Sequence, residues 1–302
     1  MSDGVVIVVV AGLVGTACGL LGPFLVLRRI ALLSDAVSHA VLPGIVAVWL
    51  VAQTRAPLPV VVGAALFAVL CVLGIDALRS TGLVASDAAI ALVFPALFSL
   101  GVLGVTQFAD GVHLDLDSTI YGEIAFVPFD SIALGGGVGV ARAAVTLAVV
   151  VALNLALVTL LWKELKATTF DPAFGATVRL RPALLSRLLL VAVAVTAVSA
   201  FEAVGAILVV TLLIVPAATA YVLTDRLVVM VALAVAVGWV GAVAGYGLAV
   251  RFDSSIAGAM GLVCTTCFVA ALLLSPSHGL LARRLRRRDR GAPAPPTPAP
   301  GA

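Results

Sequence analysis

Apolar residues run along this chain in long blocks. Nine of these, at 5–27, 33–52, 58–78, 87–105, 139–162, 187–201, 204–223, 227–249 and 255–275, carry few charges. A helix needs about 20 such residues to cross roughly 30 Å of hydrocarbon. A transmembrane β-barrel would show short segments alternating between apolar and polar, a pattern this chain does not have. The sixth block is short and abuts the seventh at Phe201-Glu202-Ala203-Val204-Gly205. The pattern therefore predicts an all-α, polytopic helical membrane protein with eight or nine transmembrane helices.

Composition agrees. Of 302 residues, 63% are apolar and 11% charged, against about 25% charged in soluble domains. Much of the net charge of +3 sits in Arg283, Arg284, Arg286, Arg287, Arg288 and Arg290. Such a cluster could contact nucleic acid, but directly after a last span an arginine-rich cytoplasmic anchor is the preferred reading, and no nucleic-acid partner is expected. The chain thus divides into a membrane domain over 1–280 and a tail over 281–302, arginine-rich and then Pro/Ala-rich, expected to be disordered. Asp3 with no basic n-region, ahead of an apolar stretch reaching Leu27, reads as a retained first span and not as a signal peptide. With nine spans, Arg28/Arg29, Arg79, the Lys163–Arg187 loop, Arg226 and the tail fall on one side. The positive-inside rule makes that side cytoplasmic and the N-terminus external.

Small residues inside the spans suggest close helix packing. Gly15/Gly19 and Gly241/Gly245 are Gly-xxx-Gly pairs. Cys264-Thr-Thr-Cys267 has metal or redox spacing but no second pair, so helix packing is the preferred reading. Two loops are long. The outer one, 106–138, carries His113, Asp115 and Asp117, which would share one side of an extended segment as candidate metal ligands or simply be solvated. The inner one runs Lys163 to Gly175 and mixes Lys166 and Thr169 with Phe170 and Phe174. Asp171-Pro172 there predicts a helix start with proline in its first turn. A short amphipathic helix at this place would serve as an interfacial lid or as a docking knob for a partner.

The most informative residues are Asp35 and His39. Spaced by four on a helix, they share a face. Ionisable residues in a membrane segment usually face a cavity or a partner. Carboxylate with neutral imidazole suits zinc, manganese or ferrous iron. Ser38 adds a hydroxyl or a hydrogen bond to His39. The competing account is a carboxylate favoured at a helix start plus a simple side-chain pair. Glu202 reads as a gate or, preferably, as an outer-interface carboxylate, and Pro216 as a packing kink or a hinge.

Several blocks, taken together, resemble the permease subunits of ABC importers for zinc, manganese or iron. They are Gly22-Pro-Phe-Leu-Val-Leu-Arg-Arg29, Leu33-Ser-Asp-Ala-Val-Ser-His-Ala-Val-Leu-Pro-Gly44, Asp87-Ala-Ala-Ile-Ala-Leu-Val-Phe-Pro95, His113-Leu-Asp-Leu-Asp117, Tyr121-Gly-Glu-Ile124, Leu165-Lys-Ala-Thr-Thr-Phe-Asp-Pro172 and Val204 through Ala220. The resemblance implies the helical fold shared with vitamin B12 importers, a type II ABC importer permease, in a prokaryotic inner (plasma) membrane. It implies a second permease subunit (a homodimer or a paired permease), cytoplasmic ABC ATPase subunits and an extracytoplasmic metal-binding protein. It also implies that Asp35 and His39 form an in-channel metal site, and that the segment around Phe170-Asp171-Pro172 couples to the ATPase. The divalent metal is cargo and no permanently bound cofactor is expected. The chain has no Gly-x-x-x-x-Gly-Lys-Ser/Thr phosphate loop, so ATP would be used by another polypeptide. A secondary carrier driven by an ion gradient is the alternative, although no internal repeat supports it. An intramembrane metalloenzyme would need a third ligand and a base such as His-Glu-x-x-His, which is absent from the sequence.

Overall fold

The computed structural model describes residues 3–53, 57–108, 123–134, 138–178 and 180–275. Its helices are α1 (Asp3–Leu27), α2 (Leu33–Ala52), α3 (Pro57–Ser80), α4 (Ser86–Phe108), α5 (Arg142–Leu160), α6 (Trp162–Phe170), α7 (Pro172–Thr177), α8 (Pro182–Val204), α9 (Ala206–Leu223), α10 (Leu227–Phe252) and α11 (Ile256–Leu274). Among the described residues, nine of them, all but α6 and α7, are long and apolar enough to cross a membrane. The region expected to be an outer loop carries regular structure among its described residues. It contains a 3-10 helix (Ile124–Phe129) and a small antiparallel hairpin of β1 (Ser131–Leu134) and β2 (Val138–Ala141). The span expected from 139 therefore starts at Arg142, whose backbone N–H donates to the Asp130 carbonyl. His113, Asp115, Asp117 and the 281–302 tail lie outside the described residues.

Helix α1 is the hub, with Val10, Val14, Ala17, Cys18, Leu21 and Phe24 all fully buried. It packs against α5, α8, α9 and α10. Both Gly-xxx-Gly pairs act as the sequence suggests. A Cβ on Gly15 would meet the Gly238 backbone at 3.2 Å, and one on Gly19 would meet the Val235 backbone at 2.9 Å, so α1 and α10 touch backbone to backbone. Gly241 lies against the Cys264 sulfur and Gly245 against the Met260 backbone, which draws α11 onto α10. Cys264 is thus a packing residue, as preferred. In the apolar interior, Asn154 of α5 donates from Nδ2 to Thr196 Oγ1 of α8 at 2.8 Å and to the Ala17 carbonyl of α1 at 3.5 Å. Interhelical hydrogen bonds of this kind fix helix rotation where burial between lipid-like surfaces does not.

The choice between eight and nine spans is settled at Gly205. Arg187, near the start of α8, bonds Asp76 of α3 at 2.9 Å. At the end of α9, Ala220 clusters with Met230 and Ala234, and Val26 and Leu27, where α1 finishes, pack against that cluster. Both far ends lie on the same side of the bundle, so the chain reverses at Gly205, with φ +80° and ψ 158°. Only glycine adopts such angles readily. The sixth block looked short because Arg187 reads as a flank. In the fold its charge is matched by Asp76, and the helix begins earlier, at Pro182.

Helices α2, α3 and α4 form a layer held to the hub through α8. After α1 the chain doubles back. Arg29 takes φ +57°, and the Ile30 N–H bonds the Leu25 carbonyl at 3.0 Å. Helix α2 thus begins inside the bundle, below the level at which its neighbours end. Two contacts set its height. Gly44 abuts the Gly63 carbonyl of antiparallel α3, and a Cβ on Gly101 of α4 would meet the Pro43 nitrogen at 2.9 Å. Counting along the helices from these contacts sets Leu33 level with Gly74, about 9 Å short of the end of α3 at Ser80.

Candidate metal site

The recess of α2 places its chemistry. The same count sets His39 level with Ala68 of α3 and with Leu97 of α4, midway along both helices. Asp35 and His39 therefore lie at mid-height of the bundle, although they belong to the first two turns of their own helix. A sequence-based estimate cannot reach this depth, because it depends on register with α3 and α4.

His39 is held by aromatic contacts. Its ring stacks on Phe94 at 5.6 Å with an interplanar angle of 26°, and meets Phe98 edge-on at 5.8 Å and 79°. These two residues were missed in the sequence, although Phe94 lies inside the Asp87–Pro95 block. Both rings come from α4 and brace the imidazole against that helix. His39 Nε2 lies 4.0 Å from Asp35 Oδ1, and both side chains are about half exposed, at 45% and 56%. The pair is close enough to share one cation and too far apart for a direct hydrogen bond.

Asp35 does not cap the helix. The N-cap position is Leu32, with no side-chain cap bond. The helix-start account retains the favourable field at the first turn, but no capping contact. Ser38 differs from its expected role, because its hydroxyl donates to the Asp35 backbone carbonyl at 2.6 Å and not to His39. Glu202 is not brought to this site. It sits in the last turn of α8, with Asp130 and Arg142 as its charged neighbours, at the opposite end of the helix from the Arg187–Asp76 pair. Among the described residues, no group of three or more His, Cys, Asp or Glu could enclose a metal. One chain thus offers two candidate ligands, both about half exposed.

The segment proposed for coupling forms two short helices. Asp171 caps α7, its Oδ1 accepting from the Phe174 N–H at 2.9 Å, and Pro172 opens the helix as expected. Phe170 and Phe174 are exposed, at 58% and 55%. Lys166 is exposed beside them on α6. Thr169, together with Thr168, instead turns inward, because both hydroxyls accept from Arg28, at 3.1 Å from Nε and 3.3 Å from a terminal nitrogen. Arg28 therefore fastens α6 to the turn that opens into α2.

Residues 5–275 match the ABC 3 transport family. The chain is 40% identical over 274 residues to the manganese transport system membrane protein MntD of Bacillus subtilis (strain 168), covering 91% of this chain and 92% of that protein. It is 42% identical over 282 residues to the zinc transport system membrane protein TroD of Treponema pallidum (strain Nichols), covering 93% and 77%. The fold superposes on PsaBC from Streptococcus pneumoniae in complex with Fab, with a TM-score of 0.74, 25% identity and coverage of 95% of this chain and 96% of that one. The nine apolar helices among the described residues, the ordered motif blocks and these matches converge: the chain is a multi-pass inner-membrane protein and belongs to the ABC 3 transport family.

Proposed function

We propose that this chain is the permease subunit of an ABC importer that passes a divalent cation (manganese, zinc or ferrous iron) inward by alternating access. The observation that carries the reading is the Asp35/His39 pair at mid-height, with both side chains about half exposed. Two ligands of this type bind any of these metals. An incomplete shell also suits a transport site, which must admit an ion and release it. A second permease subunit related by a two-fold axis would bring a matching pair to the same point and complete four ligands. An extracytoplasmic binding protein would deliver the cation, and ATP would be hydrolysed by separate cytoplasmic subunits docked on Phe170, Asp171, Pro172 and Phe174. Movement of α6 would reach α2 through Arg28, whose two hydroxyl bonds link the docking helices to the 28–32 turn. Glu202, with Asp130 and Arg142, would stand at the external end, and His113, Asp115 and Asp117 would act as capture ligands there.

Energy source separates this reading from a secondary carrier. The complete importer, reconstituted in proteoliposomes, should accumulate radiolabelled metal when ATP is supplied on the side of the ATPase subunits. It should not accumulate metal when only a proton gradient is imposed. Accumulation driven by the gradient without ATP would refute the proposal.

A further inference from the structure

A cavity of about 430 Å³ lies at the arginine-rich end of the bundle, between the feet of α1, α3, α6 and α8. Arg28, Arg29, Arg79, Thr168 and Thr169 line it. Its one carboxylate, Asp76, is already engaged by Arg187 at 2.9 Å. Among the described residues no carboxylate lies within ion-pair distance of Arg28, Arg29 or Arg79. Arg28 bonds neutral hydroxyls only, and its burial together with the nearby Arg79 charge lowers its pKa to about 10. Three guanidiniums gathered around a polar cavity with no matching carboxylate describe an anion site, and the forked donors of arginine fit phosphate oxygens.

The surroundings favour a lipid. Leu27, the last residue of α1, lines the cavity. The docking side chains Phe170 and Phe174 project outward, whereas Thr168, on the cavity side, is only 5% exposed. Basic pockets between helices at the cytoplasmic interface are suited to anionic headgroups. We propose that this cavity binds the phosphate group of an anionic phospholipid of the cytoplasmic leaflet. The proposal rests on the membrane orientation and not on the energy source, so it stands or falls separately from the uptake experiment.

Native mass spectrometry of the full-length protein, titrated with phosphatidylglycerol or phosphatidylcholine, tests it. Wild type should prefer phosphatidylglycerol. Arg29→Gln with Arg79→Gln should weaken that lipid by about fivefold per arginine removed, while Arg29→Lys with Arg79→Lys retains most of the affinity. Arg79→Gln alone, which leaves the 28–30 turn intact, should lose about fivefold on the same scale. Arg251→Gln, at the opposite end, should change nothing. Unchanged phosphatidylglycerol affinity in the Arg79→Gln protein would overturn the proposal. So would full displacement by millimolar inorganic phosphate, which would mark a free-phosphate site. Loss of the lipid from wild type on assembly with the ATPase subunits would assign the cavity to the protein partner and overturn it too.

Discussion

Replacing either ligand of the mid-height pair should nearly abolish transport. Asp35→Ala and His39→Ala are each expected to reduce radiometal uptake by the assembled importer by about 100-fold, since even residues that merely support metal ligands are worth roughly 10- to 100-fold in affinity. Half-exposed side chains tolerate truncation, so both proteins should reach the membrane in normal amounts. Ser38→Ala should be mild by comparison, because its hydroxyl bonds the backbone of its own helix. The readout is initial uptake rate normalised to permease in the membrane. Wild-type uptake in both variants would remove Asp35 and His39 from the pathway.

The second large effect concerns the position of α2. At Gly44 an added Cβ would run into the Gly63 carbonyl, and at Gly63 it would meet the Gly44 carbonyl oxygen at 2.8 Å. Backbone faces backbone on both sides, so no rotamer change relieves the clash. Gly44→Val should destabilise the protein by about 3 kcal/mol, the upper part of the usual range for overpacking. It should also drive α2 from α3, and with it Asp35 and His39 from mid-height. Gly247 of α10 is the control, because nothing lies within 4 Å of a Cβ built there. Gly247→Ala should be neutral or stabilising by a few tenths of a kcal/mol, as alanine is the better helix former. Thermal unfolding in detergent, followed by size-exclusion fluorescence, distinguishes the two.

Much of this fold was legible in the sequence because lipid imposes a length rule. The 5–27, 33–52 and 204–223 blocks agree with α1, α2 and α9 to within about two residues, a normal uncertainty for helix ends. The glycine pairs and Cys264 also revealed their packing role in advance, since small residues at that spacing have few other uses within lipid. The errors have physical causes. Arg187 shortened the sixth block because its partner, Asp76, lies 111 positions away. The β1–β2 hairpin was hidden because Val138 and Val140 continue the apolar run into α5. The Asp35/His39 spacing was visible, but its depth, the Phe94 and Phe98 rings and the Arg28–Thr169 link depend on helix register, which local pattern does not encode. The arginine-lined cavity was invisible for the same reason: Arg28/Arg29, Arg79 and Thr168 come from three separate stretches of chain.

X-ray absorption spectroscopy at the metal edge of the loaded, assembled importer tests the central claim most directly. The account predicts a first shell of nitrogen and oxygen with outer-shell scattering from imidazole, and loss of that imidazole signature in His39→Ala. A sulfur shell, which would point to Cys264 and Cys267, or a spectrum unchanged by His39→Ala, would contradict it.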